Sequence, residues 1–243
     1  MIQLPADLSI ERNDLEEVRF LGQARTWLAS QDKARLPGIH ASDLLDPLKA
    51  YWQWADPKPH TDRQVFFFLI GKVLHHFVLA SADPDTAKEA SGSGPKEALG
   101  IIFEPDLDRE GYPTELKTNR SQREPTNLQK EYHHYLEQLS IYMVLKNVLS
   151  GALWILYINL KAPDNRTYPE LRCYRVQMTE EQFYELEQEI LKTRDLLAEA
   201  KETRNPSELP LCREWLCGDN CAWFQTCKPS GRWPDTRRSK WTM

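Results

Sequence analysis

A chain of 243 residues, 41% hydrophobic and 28% charged, can bury one substantial core and has the composition of a soluble globular protein. Its formal net charge of −5 gives no global attraction for nucleic acid, although the distribution of charge matters more than its sum. The longest apolar run, VFFFLIGKVLHHFVLA, is broken by Lys72 and two histidines and is shorter than the roughly 20 residues that span a bilayer, so no membrane segment is expected. The start, MIQLPADLSIERNDLEE, has no basic stretch leading into an apolar one, so no signal peptide is read and a cytoplasmic location is the default.

In chain order, residues 8–36 carry a helical pattern, and ASDLLDPLKAYWQW (41–54) reads as a short helical segment. Residues 62–80 form a strongly apolar helix, and the Gly/Ser/Pro-rich stretch 82–97 reads as a mobile loop. Strands are expected at 98–104 and 112–118, joined by DREG as a hairpin turn, with a basic polar loop at 119–128. A helix follows at 129–149, where Tyr132, Leu136, Leu139 and Met143 make an apolar stripe. GALWILYINL (151–160) is a buried strand, and a turn at 162–169 leads to 170–178, which alternates like a half-buried strand with Cys173 as a small core residue. Thr179 opens a long acidic amphipathic helix to about 203. No internal repeat is present. The expected class is α/β, with a central mixed sheet flanked by helices.

The charges are segregated. Residues 178–203 hold eight acidic and three basic side chains, whereas 228–243 hold five basic and one acidic. The stretch 117–130 carries Lys117, Arg120, Arg123 and Lys130 against Glu124 alone.

The chemistry concentrates in IIFEPDLDREGYPTELKTNRSQ, residues 101–122. Residues two apart on a strand share a face, so Glu115 and Lys117 project together with Leu116 behind them. Asp106 can face them across the hairpin. Converging carboxylates repel unless a cation lies between them, and hard oxygen ligands suit Mg²⁺ or Mn²⁺. Such an ion acidifies water and polarises a phosphoryl oxygen, and Lys117 can orient that water or neutralise charge on the phosphate. An E-x-K pair by itself is commonly only solvated charge. Two helical i, i+4 pairs add weight: Gly71 with His75, which could reach the carboxylates, and Gln138 with Tyr142. Farther on, Cys212, Cys217, Cys221 and Cys227 lie within sixteen residues; in a cytosolic chain this suggests a metal site, and either Zn²⁺ or a [4Fe–4S] cluster accepts four thiolates.

Taken together, GKVLH, EPD, ELK and QLSIY resemble the motifs of the RecB-like branch of the PD-(D/E)XK nucleases, which includes the CRISPR-associated iron–sulfur exonucleases and the nuclease domain of AddB. The resemblance covers about residues 41–227 and implies a restriction-endonuclease-like core and exonuclease action on DNA, on single strands or ends, in CRISPR adaptation, recombination or repair. Carried over by motif, Asp106 and Glu115 are metal ligands with His75 as a third, and Lys117 is the catalytic lysine. Gln138 and Tyr142 line the substrate channel, and Arg120 and Arg123 are expected to touch DNA. His76 and Asp108 are neighbouring alternatives. The iron–sulfur relatives use one N-terminal cysteine and three C-terminal ones. Here Asp46 stands where the first is expected, which leaves two accounts: Cys212 replaces it and keeps a [4Fe–4S] cluster, the favoured reading, or the site has lost its cluster or binds Zn²⁺.

The expected division is an N-terminal helical segment at 1–61, the nuclease core at 62–205, and a cysteine-rich cluster-binding tail at 206–243. The expected partner is DNA, with CRISPR-adaptation or recombination proteins beside it. The competing function is a non-catalytic nucleic-acid-binding or assembly subunit that keeps the fold, and the intact Asp106, Glu115 and Lys117 set favours the enzyme.

Overall fold

The computed structural model describes residues 22, 23, 26, 36–82, 95–109, 111–162, 166–212 and 221–227. Most of the expected helix at 8–36, most of the loop at 82–97, Cys217 and the basic stretch 228–243 lie outside these residues. The chain divides into two compact units, Met1–Arg35 with His60–Leu74, and Leu36–Pro59 with His75–Met243. In the first, helix α3 (Asp62–Ala82) begins on a reciprocal cap. The Gln64 amide donates to Thr61 Oγ1 at 3.3 Å, and the Thr61 amide donates to Gln64 Oε1 at 2.9 Å.

The second unit is mixed α/β. Strands β1 (Ile39–His40), β2 (Lys96–Ala98) and β3 (Ile101–Phe103) form a small sheet in the order β1-β3-β2. Strands β4 (Leu107–Arg109), β5 (Tyr112–Asn119), β6 (Ser150–Lys161) and β7 (Thr167–Gln177) form a larger one in that order. Helices α1 (Ala41–Leu45) and α2 (Pro47–Ala55) follow β1, and α4 (Leu128–Glu131) and α5 (His133–Leu145) lie between β5 and β6. Helices α6 (Glu180–Thr203) and α7 (Phe224–Cys227) complete the described elements.

The hairpin expected from 98–104 and 112–118 is corrected. There are two hairpins: β2–β3, turning at Leu99 and Gly100 with φ of 53° and 70°, and β4–β5. Two consecutive left-handed residues make the tight turn that suits strand twist. Pro105 explains the break between the hairpins. It has no N–H for a ladder, so pairing stops at Phe103 and the chain crosses from one sheet to the other through Glu104, Pro105 and Asp106.

Strand β5 runs parallel to β6, with Glu115 opposite Leu153 and Lys117 opposite Ile155. Parallel neighbours need a crossover, and α5 supplies it. The expected single helix at 129–149 is interrupted at Tyr132. It ends at Leu145, because Asn147 turns left-handed at φ 56° and its amide returns to the Val144 carbonyl at 2.9 Å. Leu139, Met143, Leu153, Ile155 and Tyr157 join in one core cluster, so α5 covers the sheet face that carries Glu115 and Lys117. Ala41, Ile101, Phe103, Ile141, Tyr142 and Ile190 make a second cluster. On β7, Arg172, Tyr174 and Val176 are half-buried, while Cys173 is exposed rather than a core residue: the period of two turns it outward. Helix α6 opens on the Thr179–Gln182 capping box. Among the described residues no helix is long and apolar enough to cross a membrane.

A Cβ on Gly151 would stand 2.9 Å from Leu139 Cδ1 and 3.0 Å from Met143 Sδ, both in fully buried side chains. Gly151→Ala is expected to cost about 1–3 kcal/mol by overpacking, and Leu139→Ala about 2–5 kcal/mol by leaving a cavity. Urea unfolding of the double variant should show a cost below the sum of the two, because the new methyl fills part of the space Leu139 vacates.

Candidate active site

Strand alternation places Glu115 and Lys117 on the α5-facing side of β5, among apolar neighbours. Glu115 is only 2% exposed. Its carboxylate accepts a hydrogen bond from the Lys117 ammonium, which donates a second one to Gln138 Oε1 at 2.8 Å. The Gln138 amide nitrogen in turn donates to the Tyr142 hydroxyl at 2.9 Å. Asp106, on the crossing between the sheets, is fixed by the Leu116 amide, which donates to Oδ2 at 2.7 Å. His75 Nδ1 lies 3.8 Å from Asp106 Oδ1.

Five of the expected residues, Asp106, Glu115, Lys117, Gln138 and His75, therefore meet, and Tyr142 joins them through Gln138. Tyr142 is buried and holds Gln138 from behind. Asp108 is drawn away: Lys96 binds its Oδ2 at 2.8 Å and Lys146 its Oδ1. The side chain of His76 lies outside the described residues. Arg120 is exposed at the end of β5. Arg123 pairs with Glu131 at 3.1 Å, which folds the basic loop back on α4. Tyr135 was not foreseen. Its ring centroid lies 5.7 Å from Lys117 Nζ, and i, i+3 spacing from Gln138 on the same helix is the signal that points to it.

Burial pushes the Glu115 carboxyl up to about 7, and the negative charge of Asp106 adds to this, while Lys117 and His75 pull the other way. Asp106 is also raised by burial, against the pull of Lys117 and the Leu116 amide. Burial would lower Lys117, but the Glu115 carboxylate outweighs it and holds the ammonium above its ordinary value. Burial and the Lys117 charge lower His75, which keeps a neutral imidazole with a lone pair for a ligand.

Two partly desolvated carboxylates that resist joint ionisation, with a neutral imidazole at one of them, are a donor set that fits a hard divalent ion. Among the described residues no three His, Cys, Asp or Glu side chains already stand as a closed metal-binding group, and Lys117 is what neutralises Glu115 in this arrangement. In a separate cluster, Cys212 is buried with Leu48, Tyr51, Leu197 and Leu209, and Trp52 and Cys227 pack against it. The segment 221–227 is tied to the end of α2: Trp223 Nε1 donates to the Asp56 carbonyl at 2.7 Å and Lys58 Nζ to the Ala222 carbonyl at 3.2 Å. Trp52 Nε1 is buried without an acceptor among the described residues.

No protein-family model and no curated protein matches the chain. Solved structures do. The crystal structure of SSO0001 aligns at a TM-score of 0.51 and 19% identity over 87% of this chain and 96% of that one, which shows a shared fold. The alkaline exonuclease LHK-Exo from Laribacter hongkongensis aligns at 0.39 and 15% identity over 74% of this chain and 95% of that one. Its complex with dAMP aligns at 0.37 and 12% identity over 69% of this chain and 91% of that one.

The Glu115 shift has a stability consequence in metal-free protein. The unfolded chain ionises this carboxyl near 4.5 and the native chain near 7, so stability is full below pH 4.5 and is lost as pH rises through 7. Urea unfolding in EDTA should show stability falling between pH 5 and pH 8. Glu115→Gln should reduce that fall; the raised Asp106 carboxyl adds to it with the same sign, and the lowered His75 imidazole acts with the opposite one.

Proposed function

We propose that this chain is a divalent-metal-dependent deoxyribonuclease of the PD-(D/E)XK type, with the restriction-endonuclease-like core that name implies, acting as an exonuclease on single strands or strand ends. The observation that carries the reading is the convergence of Asp106, Glu115 and Lys117, with Lys117 held between Glu115 and Gln138. Asp106 and Glu115 would hold the ion, with His75 beside them. Once bound, Mg²⁺ or Mn²⁺ supplies an acidified water and a polarised phosphoryl oxygen. Lys117 carries the positive charge that meets the growing charge on the phosphate, and Gln138 limits its ammonium to one direction. Tyr142 fixes the amide orientation of Gln138, since an amide that donates to the hydroxyl must turn its oxygen to Lys117. A non-catalytic DNA-binding module has no use for an ammonium desolvated between two carboxylates. The exonuclease branch is favoured because the residues tied to it by resemblance gather at this site, Gln138 and Tyr142 through hydrogen bonds and His75 at 3.8 Å from Asp106.

End-labelled linear strands should be degraded with Mg²⁺ or Mn²⁺ and spared in EDTA, while closed circles survive. Activity in EDTA would refute the metal, and equal cutting of circles would move the reading to an endonuclease. Asp106→Asn, Glu115→Gln and Lys117→Met should each lower kcat by about 10²-fold or more. Gln138→Leu should reduce kcat about tenfold, because it releases Lys117.

We infer that Cys212, Cys217, Cys221 and Cys227 hold a [4Fe–4S] cluster that fastens the tail to α2 and α6. In support, Cys212 and Cys227 pack against one cluster beside Trp52, whose buried N–H wants an acceptor that a cluster sulfur can provide. Anaerobically purified protein should be brown and contain iron and sulfide. Cys221→Ala should lose the colour and be cut by protease after about residue 205, since metal-binding energy here is folding energy. Colourless protein with one zinc would replace the cluster and leave the fastening intact; protein with neither would remove both.

A further inference from the structure

The start of α5 carries a row of rings that the proposed chemistry does not use. Tyr132 is the N-cap residue and points inward, its hydroxyl 3.4 Å from that of Tyr157, which fixes the helix start. Beyond it the rings step outward from Lys117. The Tyr135 centroid is 5.7 Å from the ammonium, His134 is 4.0 Å from Tyr135, and His133 meets His134 edge-on at 5.8 Å. Exposure increases along the row, from half-buried Tyr135 and His134 to exposed His133. Tyr135 also packs against the core cluster of Leu139, Met143 and Leu153. Exposed Arg120 and Lys130 flank the row in the chain, and Arg172 and Arg123 neutralise the acids Glu124 and Glu131 of the same segment. Flat rings beside an ammonium, on a segment whose acids are already paired, match the base and phosphate of one nucleotide.

We propose that His134 and Tyr135, with His133 at the outer edge, form the shelf on which the terminal nucleobase of a DNA strand stacks while its phosphate faces Lys117. This rests on the nuclease reading and names the part of the substrate that the site grips. Stacking tolerates every base, so the shelf selects an end rather than a sequence.

The test uses full-length protein, Ca²⁺ in place of Mg²⁺, and a short single-stranded oligonucleotide with 2-aminopurine as its terminal base. Wild type should quench the terminal fluorophore and leave an internal one bright. His134→Ala and Tyr135→Leu should each weaken binding roughly tenfold and lose the quench, whereas the ring-preserving His134→Phe and Tyr135→Phe keep it. An oligonucleotide ending in an abasic nucleotide should bind wild type and the ring-deleted variants equally. Equal losses on base-ended and abasic-ended strands, or a quench that persists without the rings, would overturn the shelf alone. Wild-type protein that binds neither oligonucleotide would overturn the nuclease reading with it.

Discussion

The ion pair of Glu115 and Lys117 is the constraint on which the rest of the site depends. The parallel register with β6 sets these two residues beside Leu153 and Ile155, on a face that α5 closes. A lone carboxylate there would be very costly, and a lone ammonium equally so. Paired, each makes the other tolerable, yet the pair remains poised, since burial and Asp106 keep the Glu115 carboxyl near neutrality. An environment that makes ionisation reluctant makes a cation welcome. Gln138 is drawn into the same economy because a buried ammonium needs more than one acceptor, and Tyr142 follows because Gln138 must be oriented.

A second constraint is the crossing between sheets. Pro105 ends one ladder, and two residues later β4 begins another. Asp106 lies on the connection, where its side chain is free of strand alternation and can accept from the backbone of β5 itself. Asp108 then acts as a clamp. It is bound by Lys96 from the small sheet and by Lys146 from the end of α5, so one carboxylate joins both sheets to the helix that carries Gln138. Burial works against the charge of Asp108, and the two lysines outweigh it, holding this carboxyl below its ordinary range. Asp106, two residues away, moves the other way, because burial there outweighs the pull of Lys117 and the Leu116 amide.

Chemistry is thereby divided between rigid and open surroundings. The carboxylates, Lys117 and Gln138 sit on β5, α5 and the tight crossing between sheets. The aromatic row sits on the first turn of α5, with Tyr132 buried, Tyr135 and His134 half-buried and His133 exposed. Far along the chain, Trp223 and Lys58 hold the 221–227 segment to the end of α2 by hydrogen bonds, and Cys227 packs against the cluster that contains Cys212.

The sequence by itself determined the periodic elements: the apolar runs of α3 and β6, the capped acidic helix α6, and the i, i+2 and i, i+4 spacings that put Glu115 with Lys117 and Gln138 with Tyr142. These are local, because strand and helix periods fix which side chains share a face. Cys173 shows the limit of that rule. Alternation was visible, but which face was the inner one depended on β7 being an outer strand of its sheet. The tertiary structure decided what pattern cannot encode. It separated β3 from β5, because a proline's effect on strand pairing depends on the partner available. It tied Asp108 to two lysines and Asp106 to the Leu116 amide, and the lysines that claim Asp108 come from 12 residues before it and 38 residues after. It also set Tyr142 behind Gln138 and Tyr135 beside Lys117, since burial and long-range neighbours arise only when α5 folds back over β5.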